Sequence, residues 1–222
     1  MREEKTYVMT YYITTTASPV GTLTLGSDGK SLVSLWTEGR QPFDAAAPGE
    51  LLIHDSLPVF REAKDWLNRY FDGKRPQISE LPLAPRGSAF RQAVWKMLTD
   101  IPYGEVVTYG ELAKRIAEQR GVGVMSAQAV GGAAGHNPIP IIIPCHRVVG
   151  ANGNLTGFSC GIPMKRQLLK HEGVDISRFY DPRKGQRFDS ECQKAIGMTG
   201  TNLTSQRGLH EEGAAYGTTE HF

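Results

Sequence analysis

Residues 76–87 contain Pro76, Pro82, Pro85 and Gly87, a density that neither a helix interior nor a central strand tolerates, because proline lacks an amide donor and glycine has no preferred conformation. This break divides the 222 residues into two unlike parts. Before it, apolar residues alternate or cluster as in strands; after it, they recur at helical spacing. We place a domain boundary near residue 85, with a first domain at 1–85, a second at 86–176 and a flexible tail at 177–222 that lacks a repeating apolar face.

In the first part, residues 11–16 are aromatic and β-branched, Ser18-Pro19-Val20-Gly21 turns the chain, Thr22-Leu23-Thr24-Leu25 alternates, and Ser27-Asp28-Gly29-Lys30 marks a hairpin before Leu32-Val33-Ser34-Leu35-Trp36. Residues 41–53 read as a loop. Pro58 opens a helix in which Phe60, Ala63, Leu67, Tyr70 and Phe71 share a face, and Gly73 stops it. The expectation is a small sheet covered by one helix.

The second part begins with a helix capped by Ser88 and faced by Phe90, Val94, Met97 and Leu98. A second helix runs from Thr108 to about Gln119, a glycine-bearing turn follows at Gly121-Val122-Gly123, and a third helix spans about 125–135, which is the pattern of a helix-turn-helix. That third helix, with Ser126, Ala127, Gln128, Ala129 and Gly131, carries no charge, and its interior glycines weaken it. Small side chains permit close approach of the backbone to a neighbouring element or to a nucleic-acid groove. On composition alone, core packing is the simpler explanation.

The apolar run Ile139-Pro140-Ile141-Ile142-Ile143 then reads as a buried strand leading into Pro144-Cys145-His146-Arg147. A thiol beside an imidazole can be held as thiolate, the form that attacks electrophiles and binds metals. Alternatively, Cys145 is one more small apolar residue of the core. His171-Glu172, at the end of a last helix opened by Pro163, offers a carboxylate that could orient His146, or a surface acid at a helix end. The three cysteines, Cys145, Cys160 and Cys192, form neither a disulfide framework nor a recognised metal-ligand spacing. A thiolate that displaces carbon from oxygen ends as a thioether and is consumed, whereas one that attacks a carbonyl gives a thioester that water clears. The residues by themselves leave both open.

No run of eighteen or more apolar residues is present and Met1-Arg2-Glu3-Glu4-Lys5 opens no secretory segment, so a cytoplasmic protein with no membrane partner is expected. Net charge is +2, yet residues 86–172 hold ten Lys and Arg against five Asp and Glu. A basic segment suits a polyanion, although an ordinary solvated surface looks the same.

Taken together, Phe90-Arg91-Gln92-Ala93-Val94-Trp95, Ile101-Pro102-Tyr103-Gly104-Glu105-Val106-Val107-Thr108-Tyr109, Ala129-Val130-Gly131, Asn137-Pro138, Ile143-Pro144-Cys145-His146-Arg147-Val148-Val149, Asn152-Gly153, Leu155-Thr156-Gly157, Lys165 and His171-Glu172-Gly173 resemble the O6-alkylguanine-DNA alkyltransferases of bacterial type. The likeness covers roughly residues 88–175; before that, only the order of strands then helix matches. It implies an α/β (α+β) fold, with an N-terminal RNase H-like small sheet and helix, and a C-terminal helical domain holding a helix-turn-helix and an active-site strand. It implies direct-reversal repair in which a methyl or larger alkyl group passes from O6 of guanine, or O4 of thymine, in double-stranded DNA to Cys145, inactivating the protein.

By the same resemblance His146 deprotonates Cys145 through a water, Glu172 orients His146, and Asn137 braces the turn before the cysteine. Tyr109, Val148, Ser159 and Cys160 surround the extruded base, and Ser126, Ala127, Gln128, Ala129, Gly131 and Arg147 face DNA, with the recognition helix in the minor groove. Two positions depart from the family's pattern: Gln128 stands where an arginine is usual, and Cys160 where a glycine is usual. No cofactor or metal is expected, the first part lacking the cysteines and histidines that some members use for zinc, and the protein is expected to act as a monomer. Two rival readings are a lesion-binding relative without transfer, against which the intact Cys145 counts, and a thiol hydrolase with turnover.

Overall fold

The computed structural model describes residues 9–37 and 49–181. Strands β1 (Met9–Thr16), β2 (Leu23–Ser27), β3 (Leu32–Thr37) and β4 (Gly49–Ile53) form one sheet in the order β3-β2-β1-β4. The hairpins β1-β2 and β2-β3 are antiparallel, as the turn residues predict, with Thr14 opposite Leu25 and Leu25 opposite Leu35. β4 runs parallel to β1, Tyr12 opposite Leu52, where the sequence reads as loop. Its Leu51 and Ile53 are exposed, so its signal is neither an alternation nor a hairpin turn but a pairing with a distant strand.

Helix α1 (Pro58–Phe71) starts on Pro58 at its first turn and covers the sheet with Phe60, Ala63, Trp66, Leu67 and Tyr70, spaced three and four apart. The proline-rich segment is not a free tether. It lies along β3, with Leu32 N–H donating to Pro82 O at 2.8 Å and Ala84 N–H to Leu32 O at 2.9 Å. A second amide of that strand edge, Leu35 N–H, reaches Pro138 O at 2.8 Å. The sheet therefore grips the second part, and Leu25, Phe60 and Trp66 share a core with Trp95, Leu98, Ile142 and Cys145.

In the second part, α2 (Ala89–Thr99) is capped by Ser88 as expected, its hydroxyl accepting from Arg91 N–H. β5 (Val107–Thr108) leads into α3 (Tyr109–Arg120), where Thr108 and Glu111 form a reciprocal capping pair. Gly121, at φ 64°, ends α3 in the left-handed conformation that glycine adopts without cost. α4 (Ala127–Gly135) follows, capped by Ser126, so the helix-turn-helix is in place. Trp95 Nε1–H donates to Ala133 O at 2.8 Å and ties α2 to the buried side of α4.

The strand expected before Cys145 is absent. Pro140 has no amide to give a sheet partner, Ile143 N–H returns to Ile139 O at 2.9 Å, and Ile141 takes φ 75°, so residues 139–144 curl into a turn. A β-branched residue at that angle stores about 1–3 kcal/mol, held in place by a buried surround. Cys145–Arg147 form one 3-10 turn, and the strand comes after it: β6 (Val148–Val149) pairs in parallel with β5. This pairing sets Tyr109, the first residue of α3, beside the cysteine turn.

α5 (Ile162–His171) completes the fold. The chain stays packed beyond the expected boundary at 176: Phe179 is buried with Val149, Leu155 and Leu169, Tyr180 N–H donates to Gly153 O at 2.9 Å, and Leu155 N–H donates to Tyr180 O at 3.0 Å. Gly153, at φ 81°, lies so close that a Cβ would sit 2.3 Å from Arg178 O. The remainder of the expected tail, residues 182–222 with Cys192 and His210, lies outside the described residues. No described helix is long and apolar enough to cross a membrane.

Candidate active site

Asn137 follows the end of α4, because the residue before proline is driven out of the helical region. It is buried and uses its whole amide: Oδ1 accepts from Ile139 N–H at 3.0 Å, and Nδ2 donates to Ile143 O at 2.7 Å and to Cys145 Sγ at 3.1 Å. One side chain thus closes the turn and holds the sulfur. Cys145 is 2% exposed.

Next to it, His146 is fully buried, and its Nε2 pairs with Glu172 Oε1 at 2.7 Å. With Nε2–H donating to the carboxylate, Nδ1 carries the lone pair; it is buried and has no hydrogen-bond partner among the described residues. Glu172 accepts further bonds from Arg147 Nε at 2.8 Å, Arg147 NH2 at 3.0 Å, Tyr70 OH at 2.7 Å and Gly104 N–H at 3.1 Å. Of the two readings of Glu172, a partner that orients His146 or a surface acid at a helix end, the structure has the first.

Burial pushes the Cys145 thiol up to about 12, and the Asn137 hydrogen bond offsets this only in part. At rest the sulfur is a thiol, which differs from the thiolate that its neighbouring imidazole suggests. Burial also holds His146 below the ordinary imidazole value, against the pull of Glu172, so it is a neutral base. For Glu172 burial works upward, but hydrogen bonds from His146 and Arg147 and their charge outweigh it and keep the carboxyl well below the usual range. The site is poised to move a proton rather than already ionised.

Around the sulfur stand several expected residues. Tyr109 OH donates to Gly157 O at 2.9 Å and Thr156 O at 3.2 Å, and Tyr109, Cys160 and Lys165 are all electrostatic neighbours of Cys145. A Cβ on Gly157, at φ 79°, would meet the Tyr109 hydroxyl at 2.5 Å, so a glycine there lets the phenol seat. Cys160 is half-buried against the core beside half-buried Ser159. Val148 is buried; its N–H donates to Cys145 O and its carbonyl accepts from Lys165 Nζ at 2.6 Å.

Arg147 is the expectation that the structure overturns. Rather than facing DNA, it is 6% exposed, bound through two nitrogens to Glu172 and through a third to Ile101 O at 2.5 Å. Buried cations need a partner, and Glu172 is within its reach. Ser126, Ala127, Gln128 and Ala129 are exposed on α4, whereas Val130, Ala133 and Ala134 are buried. A Cβ on Gly132 would meet nothing within 4 Å and one on Gly131 only the Tyr109 ring at 3.6 Å, so packing does not demand glycine at either position.

Sequence reading did not mark Tyr70, Gly104 or Lys165 as members of the site. Lys165 is fully buried, and burial lowers its amine to about 8. A signal for it existed, since a lysine one residue after Met164 and three and four before Leu168 and Leu169 lies on the apolar face of α5. For Tyr70, 102 positions from Glu172, the local sequence offers none.

Comparison with known proteins identifies the family of the chain. Residues 89–174 match the model for the 6-O-methylguanine DNA methyltransferase DNA-binding domain, and residues 11–85 the model for its ribonuclease-like domain. The chain is 45% identical over 163 residues to the methylated-DNA–protein-cysteine methyltransferase of Haemophilus influenzae, covering 73% of this chain and 87% of that one. The namesake from Mycobacterium tuberculosis is 44% identical over 155 residues, covering 70% and 88%. The crystal structure of Mycobacterium tuberculosis OGT in complex with DNA superposes with a TM-score of 0.60 at 43% identity, over 73% of this chain and 91% of that one. On sequence and fold alike, this chain belongs to the 6-O-methylguanine DNA methyltransferase family.

Proposed function

We propose that this protein repairs alkylated DNA by a single irreversible transfer, in which Cys145 Sγ takes an alkyl group from O6 of guanine or O4 of thymine in duplex DNA. The observation that carries the residue assignment is the pair of buried hydrogen bonds Asn137–Cys145 and His146–Glu172, set side by side at one sulfur and the imidazole next to it in the chain. His146 Nδ1 accepts the thiol proton through a water, Sγ forms a bond to carbon as the carbon–oxygen bond breaks, and the electron pair leaves on the base. The base regains a proton equivalent to the one the thiol lost, so the sum is balanced and the thioether stays.

Charge supports the same path. Glu172 stabilises the imidazolium that forms, while Lys165 and Arg147, both near His146, favour return of the proton to the departing base. Asn137 holds the sulfur toward the pocket that Tyr109, Val148, Ser159 and Cys160 wall. The exposed Ser126-Ala127-Gln128-Ala129 face of α4, with Gly132 open to its surroundings, suits entry into a minor groove, and a base swung out of the stack costs only a few kcal/mol. The part through residue 85 braces the second part, which does the chemistry. We assign the protein to the cytoplasm as a monomer.

Intact-mass measurement after incubation with an O6-methylguanine oligonucleotide tests the transfer. One methyl per protein, mapped to Cys145, is expected, with repaired base never exceeding protein; catalytic turnover or an unmodified cysteine would defeat it. Gln128→Arg is expected to raise the rate on duplex DNA several-fold, about 1 kcal/mol from one added phosphate or groove contact, and to leave the rate with the free modified base unchanged. Equal duplex rates would show that glutamine suffices.

A further inference from the structure

Tyr70 lies in the last turn of α1, 1% exposed, and its hydroxyl donates to Glu172 Oε1, the same oxygen that accepts His146 Nε2–H. A carboxylate oxygen has a limited amount of charge to share, so each donor it accepts weakens its pull on the others. The ring of Tyr70 needs no oxygen for its packing. It stacks on Trp66 at 5.5 Å and meets the edges or tilted faces of Phe71, Tyr103 and His171, contacts that a phenylalanine would reproduce. A buried hydroxyl nevertheless requires a partner, and the partner here is the carboxylate behind the base.

We propose that Tyr70 is a positioning residue for the transfer: its hydrogen bond holds Glu172 in orientation and, through that shared oxygen, sets how readily His146 takes the Cys145 proton. The inference rests on Cys145 being the alkyl acceptor. It gives the first part of the chain a role in the chemistry, since α1 then touches the relay directly. His171, one residue from Glu172, reinforces the docking through its Nε2 and Tyr70 O at 2.8 Å.

Other charged or titratable groups face the carboxylate, the imidazole or the Tyr70 ring. Arg147 comes from the cysteine turn, Lys165 and His171 from α5, Tyr103 from the turn after α2 with Arg75 over its ring, and Cys145 from beside the imidazole. Arg147 neutralises Glu172, and Tyr103 OH is bound to His171 O at 3.1 Å. Besides His146 itself, Tyr70 is the neutral side chain that donates to Glu172 directly among the described residues.

Removing the hydroxyl leaves Glu172 more charge for His146, so the imidazole holds a proton to higher pH and ceases to be a base there. For full-length Tyr70→Phe, the acid limb of the pH profile for Cys145 alkylation is expected to move up by about one unit, roughly a tenfold rate loss at the foot of the limb. Site-specific 3-fluorotyrosine at position 70, a stronger donor of the same shape, is expected to move it down. The ring-nitrogen resonances of His146 should follow both shifts, which identifies the imidazole independently of activity and separates it from His171. Phe71→Leu loosens the same aromatic cluster without a polar atom and is expected to lower the rate equally at all pH values.

Superimposable limbs for Tyr70→Phe and parent, or a uniform loss like that of Phe71→Leu, overturn the proposal. So do His146 resonances that titrate identically in all three proteins. A parent that gains no alkyl mass refutes the acceptor reading instead, and the resonances still decide whether Tyr70 tunes the imidazole.

Discussion

Cys145→Ser is expected to abolish transfer: no mass gain on the protein and a repair rate lower by about 10⁴-fold or more, the scale of removing a catalytic nucleophile. Serine keeps the shape of the site and can still accept from Asn137, so folding and DNA affinity should stay close to those of the parent. Its hydroxyl is a far weaker acid than a thiol and its oxygen a poorer nucleophile toward saturated carbon. The buried thiol already sits at about 12, so His146 has to take its proton during the reaction. A serine variant that clears O6-methylguanine at the parent's rate would refute the assignment of the acceptor.

Glu172→Gln should produce the largest loss of stability together with a loss of rate. It leaves the buried Arg147 guanidinium without its anion, at a cost of about 3–5 kcal/mol and about 10 °C in thermal midpoint for a protein of this size. The amide also stabilises an imidazolium poorly, so transfer should slow by about 10²-fold. Combining it with Arg147→Met removes the stranded cation, and most of the stability should return while the rate does not. Recovery of both would mean that Glu172 serves packing alone.

The same groups set the acid limit. His146 is held below its ordinary value, so below about 6.5 the unfolded chain binds a proton that the folded chain refuses, and stability falls with pH. Glu172 is held below the ordinary carboxyl value of about 4.5, so its contribution is present above that pH and is lost on further acidification. Chemical denaturation across this range should show both stages in the parent and lack the lower one in Glu172→Gln.

Much of this is legible in the sequence. Pro58 and Gly73 bracket α1, Ser88 and Thr108 cap α2 and α3, and Gly121 ends α3, because caps and breakers act within a few residues and are written locally. The cysteine, its imidazole and Asn137 are likewise close in sequence. What stayed hidden depends on distance or on competition between local signals. β4 exists through its pairing with β1, and Tyr70 reaches Glu172 across 102 positions. The run of isoleucines looked extended because its side chains are buried, yet Pro140 and the Asn137 amide bend it. Arg147 read as a groove contact because a cation beside a DNA-binding motif usually is one; the buried Glu172 claims it first.

The pairing of Tyr180 with Gly153 and Leu155 has a bearing on how the protein is made. Residues 153–155 run directly into the loop whose carbonyls hold Tyr109 and Lys165, and their partner is translated after every residue of the site, Glu172 included. Until that segment emerges, the loop has no backbone neighbour on one side. A reagent that can be spent only once is thus completed from outside its own site, and a chain that stalls before residue 180 carries its sulfur in an incomplete vessel.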